Sequence, residues 1–425
     1  MTTSKIELYQ QHTFPNGLRL VAENHAHARS VAIGVWVKLG SSYESREENG
    51  ASHFIEHMVF KGTKRRRADE IATVLEARGG DLNAFTDREY TCFHATVLQE
   101  DVELAIDVLS DLVSEPLFDK KQFDREKRVL LQELAMIEDS PDEWAFDVFA
   151  GMIWRGEPLG QPVIGTRKTI GKMKVGKLEQ FFQDHYGPEN MVVSVAGAID
   201  FEALKALVGK SFSGTGEKQK VIPSKRLPSR YRATRKCEQA DIEQQHVLLG
   251  YQGVELTHPS RYDAVVLSVY LGGGMGSRLF QEVRENAALA YSVDAELLPY
   301  SDSGVLVIYA GMESKSVRKY LEIVAAEIEK VKLNEIPIEH LDRVKGQIRG
   351  SILLASELMD SRQESLGRNE LVFGRYVSIE EIIKAIEMVD PVRVKKVANQ
   401  IFQRKAESIL CLGRSRLKPK QLEVL

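Results

Sequence analysis

Two histidines and a glutamate in the segment ENGASHFIEHMVFKGT have the residue types and the spacing of a metal site. His53 and His57 are four residues apart, so on a helix they share one face about 6 Å apart and can place two imidazole nitrogens on one Zn²⁺. Glu56 lies on the same side of that helix, where its carboxylate can hold a metal-bound water and take its proton. Because zinc lowers the pKa of such a water to about 7, the arrangement suits hydrolysis at neutral pH.

The residues around the motif favour the helix that this spacing requires. Ala51, Phe54, Ile55 and Met58 form an apolar stripe, and Gly62 can end the helix. The alternative is a pair of histidines on an exposed or satisfied helix face. With ten histidines in 425 residues, chance gives H-x-x-E-H roughly 0.02 times in a chain of this length. The motif therefore favours a metal site.

A catalytic zinc needs three protein ligands and an open position, so a third ligand must come from elsewhere in the chain. Residues 121–138 are predicted to form a long helix that contains Glu126 and Glu133. These two glutamates are two helical turns apart and share one face. One can bind the metal while the other supports it, and their spacing does not choose between them. The alternative is a solvated, charged helix face.

The elements that must position these residues follow the same order in both halves of the chain. A strand in SVAIGVWVKLG, a helix through HFIEHMVF, two strands in DLNAFTDREYTCFHATV and an amphipathic helix from Gln99 make up the first series. The second series is HVLLGYQGVEL, YDAVVLSVYLG, LAYSVDAELLPYSDSGVLVIYAGM and SKSVRKYLEIVAAEIEKV, followed by a long helix over 338–358. The pattern predicts an α+β fold of two duplicated domains, each an antiparallel or mixed sheet covered by helices.

The composition changes between the two series. Residues 213–236 contain eight basic residues and one acidic residue among Gly, Pro and Ser, which is typical of an interdomain linker. The predicted domains are therefore residues 1–212, which carry the candidate metal residues, and residues 237–425.

Composition also excludes several classes of protein. Lys and Arg total 57 against 61 Asp and Glu, so no basic field favours nucleic acid. No apolar run approaches the roughly 20 residues of a membrane span. Cys92, Cys237 and Cys411 are far apart and form no CxxC pair, which argues against a disulfide framework or a thiolate metal site. The first residues resemble neither a secretory signal nor a transit peptide, which predicts a cytoplasmic protein.

The segment HFIEHMVFKGT, with Glu133 placed 76 residues after His57 and Glu126 seven residues earlier, resembles the pitrilysin and mitochondrial processing peptidase family of inverzincins. The resemblance covers nearly the whole chain and is similar to the short-chain, bacterial branch. It implies one Zn²⁺ per chain with Glu133 as the third ligand, Glu56 as the general base and Glu126 as a supporting carboxylate.

Two other segments extend the resemblance. GGDLNAFTDREYTCFHATV resembles the strand beside the family's active site, which implies that Asn83, Ala84 and Phe85 line an edge where a substrate peptide adds as an extra strand. Without the resemblance, Asn83 fits a turn residue better. LGGGMGSRLFQEVRENAALAYSV resembles the family's glycine-rich segment and places Arg284 and Tyr291 where they can stabilise charge on a substrate carbonyl.

The function that these residues predict is a zinc-dependent metalloendopeptidase acting on extended or unfolded peptides. The resemblance implies a chamber in which the second half of one chain faces the catalytic half of another, so that Arg284 and Tyr291 act on the partner's site. A homodimer is expected because this chain carries both sets of residues, and a heterodimer with a related subunit is the alternative. The competing functions are a noncatalytic scaffold or inactive partner of the same fold, and a zinc hydrolase of small amides.

Overall fold

The structure is a computed structural model of the chain, and it describes residues 8–213, 228–414 and 419–422. Its strands are β1 Tyr9–Thr13, β2 Arg19–Asn24, β3 Ser30–Val37, β4 Asp81–Thr86, β5 Thr91–Leu98, β6 Met191–Gly197, β7 Arg235–Gln239, β8 Gln245–Gln252, β9 Ala290–Pro299, β10 Gly304–Met312 and β11 Ser408–Gly413. Its α-helices are α1 Ala51–Val59, α2 Ala68–Val74, α3 Val102–Ser114, α4 Lys120–Glu138, α5 Pro141–Ile153, α6 Arg167–Lys172, α7 Val175–His185, α8 Phe201–Ser211, α9 Arg261–Gly272, α10 Val317–Leu333, α11 Ile338–Ser356, α12 Met359–Phe373, α13 Ile379–Glu387 and α14 Pro391–Ile401.

The two sheets have the same strand order and the same strand directions. The first runs β1-β2-β6-β3-β5-β4, and the second runs β7-β11-β8-β10-β9. In each, one parallel pair, β2 with β6 or β7 with β11, is followed by antiparallel pairs to the far edge. Apart from the additional β1, the second sheet therefore repeats the first, which confirms the predicted α+β fold with duplicated domains.

The central strands β2, β3 and β6 of the first sheet are buried on both faces, which explains the nearly continuous apolar sequence of β3. Ile33 and Val35 belong to the core that α1, α3 and α7 cover. Trp36 points to the opposite face and packs with Leu366 of α12. Gly367 of α12 approaches Trp36 so closely that a Cβ would lie 2.1 Å from the indole nitrogen, so this helix requires glycine at the crossing.

The chain divides into two compact units, and the division differs from the single boundary that the sequence predicted. Among the described residues, the first unit contains 8–135, 161–213 and 353–377, and the second contains the rest. The segment with α5 joins the second unit because Phe149 packs on Gly250 of β8, and the segment with α12 joins the first. Within the predicted linker, residues 214–227 lie outside the described residues and β7 already begins at Arg235.

A buried ion pair holds α12 on the first sheet. Arg362 of α12 binds the carboxylate of Glu23 in β2, with Nε 2.7 Å from Oε2, and Glu23 is fully buried. Burial opposes ionisation of Glu23, but hydrogen bonds from His25 and Arg362 outweigh it and lower the pKa of the carboxyl below its ordinary value.

Replacing Arg362 with methionine is expected to lower the free energy of unfolding by about 3 kcal/mol at neutral pH, because the charge of Glu23 then stays buried without its cation. The lowered pKa means that Glu23 stabilises the wild type above its unfolded pKa and that this contribution is lost as pH falls through the folded pKa. Urea unfolding should therefore show a difference between wild type and Arg362→Met that shrinks in acid. The exposed Arg368 on the same helix is the control, and an equal loss in Arg368→Met would contradict the prediction.

Among the described residues, no helix is long and apolar enough to cross a membrane.

Candidate metal centre

Helix α1 carries the H-x-x-E-H motif, and its apolar residues fix which way the motif faces. Phe54, Ile55 and Met58 are completely buried in the first core, as the apolar stripe predicted. Phe54 also stacks on Phe123 of α4, with ring centroids 4.7 Å apart. This contact holds the two helices that carry the candidate ligands against each other.

The beginning of α1 is held by a buried carboxylate that the sequence did not single out. Glu44 accepts hydrogen bonds from the backbone N–H groups of Gly50 and Ser52, both at 2.7 Å, and from the Asn49 side chain at 3.1 Å. The two backbone donors belong to the free N–H groups of the helix start. Burial raises the pKa of Glu44 to about 7 despite these hydrogen bonds. Glu44 therefore fixes the position of the first turn, which carries His53.

The structure brings His53, His57 and Glu133 together. One ligand atom from each residue lies within 4.8 Å of the others, and in the part of the chain that the structure describes these three form the one group of this kind. Nε2 of His53 is 3.6 Å from one oxygen of Glu133, and Nε2 of His57 is 3.4 Å from the other.

These distances fit a metal ion better than direct hydrogen bonds. Hydrogen bonds between nitrogen and oxygen are mostly 2.7–3.2 Å long, whereas ligands about 2.0–2.1 Å from a tetrahedral zinc are about 3.4 Å from each other. Two imidazoles and one carboxylate are also a usual ligand set for catalytic zinc. The residues present therefore fit a zinc ion.

Glu126 contacts His57 but lies outside the cluster of His53, His57 and Glu133. Its carboxylate is 3.3 Å from Nδ1 of His57 and 3.2 Å from Nζ of Lys61. A proton on Nδ1 leaves Nε2 of His57 with a free lone pair that points at the cluster, which is how metal-binding histidines are usually oriented. The sequence left open which glutamate joins the histidines, and the structure places Glu133 with them and Glu126 outside.

The protonation states of the cluster follow from burial and from the charges close by. Burial, followed by the charge of His57, lowers the pKa of His53 to about 4, so this imidazole is neutral at pH 7. Burial opposes protonation of His57, but the carboxylates of Glu133 and Glu126 outweigh it and raise its pKa. The nearby imidazole of His57 lowers the pKa of Glu133 below its ordinary value. His53 as a neutral imidazole and Glu133 as a carboxylate are thus in the forms that bind metal, whereas His57 has to give up its proton when a metal ion binds.

Glu56 faces the first sheet and is held there by a hydroxyl group. Thr86, the last residue of β4, donates a 2.5 Å hydrogen bond from Oγ1 to Oε2 of Glu56. Burial raises the pKa of Glu56, which makes it a better proton acceptor than an exposed glutamate. Thr86 follows Phe85 in sequence, but no spacing rule links it to a residue thirty positions earlier.

Strand β4 is the outermost strand on its side of the first sheet. Asn83, Ala84 and Phe85 lie within this strand and pair with β5, so Asn83 is a strand residue and the turn alternative is wrong. Asn83 is exposed, and Phe85 packs on Trp36 with ring centroids 5.7 Å apart. In the described part of the chain no strand pairs with the outer side of β4, which leaves main-chain groups available for another strand.

Arg284 and Tyr291 lie in the second unit, whereas the other predicted site residues lie in the first. The guanidinium of Arg284 stacks between the rings of Phe280 and Tyr291, 4.7 and 4.8 Å from their centroids. Both residues line a cavity of about 380 Å³. Between them, Ala288 has φ +49°, the left-handed conformation that glycine adopts more easily.

Comparison with known proteins identifies the family to which this duplicated α+β fold and its cluster of two histidines and one carboxylate belong. Residues 19–167 match the family model described as Insulinase (Peptidase family M16), and residues 172–348 match the model described as Peptidase M16 inactive domain. The chain is 38% identical to YmxG, an uncharacterized zinc protease from Bacillus subtilis, over 93% of this chain and 96% of the relative. It is 37% identical to an uncharacterized zinc protease from Mycobacterium tuberculosis over 97% and 95% of the two chains. The chain therefore belongs to peptidase family M16, as the resemblance predicted.

Solved structures share the fold. A protease from Helicobacter pylori superimposes with a TM-score of 0.88 at 21% identity, covering 95% of this chain and 99% of the other. A peptidase M16 inactive domain from Pseudomonas fluorescens gives a TM-score of 0.88 at 18% identity, with coverage of 96% and 98%. At these sequence identities the similarity shows a shared fold and nothing beyond it.

Proposed function

We propose that this chain is a zinc-dependent metalloendopeptidase that carries one Zn²⁺ and hydrolyses peptide bonds in extended or unfolded peptides. The observation that carries the proposal is the cluster of His53, His57 and Glu133, whose side chains can hold one metal ion. Glu56 lies on the same helix as the two histidines and accepts a hydrogen bond from Thr86 of β4, the outer strand of the first sheet. Membership of family M16 and the names of the relatives support it.

In this mechanism His53, His57 and Glu133 would hold the ion. When bound, zinc would supply Lewis-acid polarisation of the peptide carbonyl and of the attacking water. Glu56 takes the proton of that water and passes it to the leaving amine, and its raised pKa suits both transfers. Thr86 holds the Glu56 carboxylate in place through its hydrogen bond. No residue of the chain needs to form a covalent bond with the substrate.

The edge of β4 is the proposed binding site for the substrate. A peptide that adds to this edge is held by main-chain hydrogen bonds, which every sequence can make when it is extended. Asn83, Ala84 and Phe85 then lie beside the peptide, and Thr86 connects the same strand to Glu56. The strand that binds the peptide thus also positions the general base.

Endopeptidase activity is tested with an unstructured peptide library and mass spectrometry of the products. Internal cuts in peptides of several lengths are the expected result. Removal of single residues from the ends would contradict the proposal of an endopeptidase, and zinc binding without cleavage of any peptide would favour a hydrolase of small amides.

A homodimer is proposed, in which Arg284 and Tyr291 of one chain act on the metal centre of the partner. Mixing Glu56→Gln chains with Arg284→Ala chains is then expected to restore activity, because one of the two sites in a mixed dimer keeps both sets of residues. Subunit exchange is checked with labelled chains. Exchange without recovery of activity would contradict the assignment across chains, and activity that appears only with a different subunit would indicate a heterodimer.

The scaffold alternative is less well supported. The match to an inactive domain covers residues 172–348. That range contains Arg284 and Tyr291, but His53, Glu56, His57 and Glu133 lie outside it. Noncatalytic relatives are expected to have lost such residues. Measured zinc content separates the two functions, because a scaffold without the site would purify without zinc. Cytoplasmic localisation stays a prediction of the sequence.

Replacing Glu126 with glutamine is expected to weaken zinc binding about 10- to 100-fold, which is the usual effect of losing the group that orients a metal-binding histidine. The reason is that glutamine cannot offer Nδ1 of His57 the same charged acceptor. Competition with a zinc-binding dye measures the affinity. The control is Glu115→Gln, which removes an exposed carboxylate paired with Lys64, and an equal effect in both variants would contradict the role of Glu126.

A further inference from the structure

Cys237 and Cys411 are distant in sequence and adjacent in the second sheet. Strands β7 and β11 are parallel neighbours, and their register places Cys237 opposite Cys411. Neighbouring strands are roughly 4.8 Å apart, which lies within the Cα separation of about 4.4–6.8 Å that a disulfide allows. Both side chains contact the same hydrophobic core, and each thiol is close enough to the other to shift its pKa. Both are free thiols in this structure.

The two thiols differ in access and in acidity. Cys411 is 1% exposed, whereas Cys237 is partly exposed on the outermost strand of the sheet. The hydrogen bond from the Cys411 thiol lowers the pKa of Cys237, and the same contact together with burial raises the pKa of Cys411. Since the thiolate is the nucleophile in disulfide exchange, Cys237 is the thiol that an outside reagent reaches and that reacts first.

We propose that Cys237 and Cys411 form a redox-active dithiol that reacts with a low-molecular-weight disulfide and closes to a disulfide between β7 and β11. The Cys237 sulfur attacks one sulfur of the reagent and forms a mixed disulfide, and the first reagent thiol leaves with the Cys237 proton. The Cys411 sulfur then attacks the Cys237 sulfur, and the second reagent thiol leaves with the Cys411 proton. Two electrons pass from the protein to the reagent, which is reduced to two thiols.

The bond would join β7 to β11, the last strand of the described residues. The loop that it closes contains most of the second unit, and a cross-link over a long loop stabilises a protein by restricting its unfolded state. The oxidised form is therefore expected to unfold at a higher temperature than the reduced form, and a reductant should reverse the shift. This inference does not depend on the proposed peptidase activity.

The experiment is titration of the full-length, zinc-loaded protein with oxidised glutathione, followed by intact mass and peptide mapping without reductant. The wild type should lose two of its three thiols and two hydrogen atoms of mass, with one cross-linked peptide pair. Cys411→Ala should stop at one glutathione adduct on Cys237. Cys237→Ala should leave Cys411 unreacted, and Cys92→Ser, which removes a fully buried thiol, should behave as the wild type.

Two results would overturn the proposal. The first is a wild-type protein that keeps all three thiols at a glutathione potential that oxidises a small dithiol. The second is a wild-type protein in which the glutathione adduct on Cys237 accumulates without closing. Both are read from the wild type, so the test does not depend on the folding of any variant.

Discussion

Replacing Glu56 with glutamine is expected to lower kcat/KM for peptide cleavage by about 10³-fold while one zinc per chain remains bound, because general acid and base catalysis contributes about 10²- to 10⁴-fold. Glutamine has nearly the shape of glutamate, and Thr86 can still donate its hydrogen bond to the amide oxygen. The side chain therefore keeps its place and loses its capacity to take a proton. His53, His57 and Glu133 are unchanged, so the metal should stay.

Two measurements on the same sample separate this outcome from misfolding, namely zinc content by elemental analysis and cleavage rate on one unstructured peptide. The matched control is Glu47→Gln, which changes an exposed glutamate just before α1 and should keep full activity. Undiminished cleavage by Glu56→Gln with bound zinc would exclude Glu56 as the general base.

Replacing Glu133 with glutamine is expected to remove both the metal and the activity. Glu133 is the one anionic group within the cluster, and its oxygens lie 3.6 and 3.4 Å from the two imidazoles. Two neutral imidazoles alone hold zinc weakly, so the loss of affinity should exceed the 10- to 100-fold that the loss of a supporting carboxylate costs. Dialysed Glu133→Gln should contain almost no zinc, and its cleavage rate should approach that of the chelated wild type.

The comparison with Glu126→Gln makes this prediction specific. Both changes remove one carboxylate from the same face of α4, but only Glu133 lies among the candidate ligands. The control for helix charge is Asp124→Asn, because Asp124 is exposed on α4 and pairs with Lys120. Equal zinc contents in Glu133→Gln and Asp124→Asn would contradict the ligand assignment.

Much of the fold could be predicted because its signals are local. Apolar periodicity located α1, α4 and the strand pairs β4–β5 and β9–β10 within a few residues, and their repeated order indicated the duplication. The sequence could not predict that α5 belongs to the second unit and α12 to the first. Periodicity shows that a helix has an apolar face, but it does not show which sheet that face covers. The contact of Gly367 with Trp36 joins residues more than 300 positions apart.

The candidate site also combines residues that the sequence could predict with residues that it could not. His53, Glu56 and His57 lie on a single helix, so their spacing in the sequence fixes their relative positions in space. Thr86 and Glu44 contribute through tertiary hydrogen bonds, and neither belongs to a motif. The cysteine pair was missed for a related reason, since the parallel pairing of β7 with β11 brings together residues whose sequence separation argued against a disulfide.

The most direct test of the central claim is cleavage of an unstructured peptide by the purified chain, measured before chelation, after removal of the metal and after stepwise return of Zn²⁺. Activity that disappears with the metal and returns in proportion to zinc, reaching its full value at one equivalent per chain, is the predicted result. Cleavage that persists after the zinc content has fallen to zero would contradict the account.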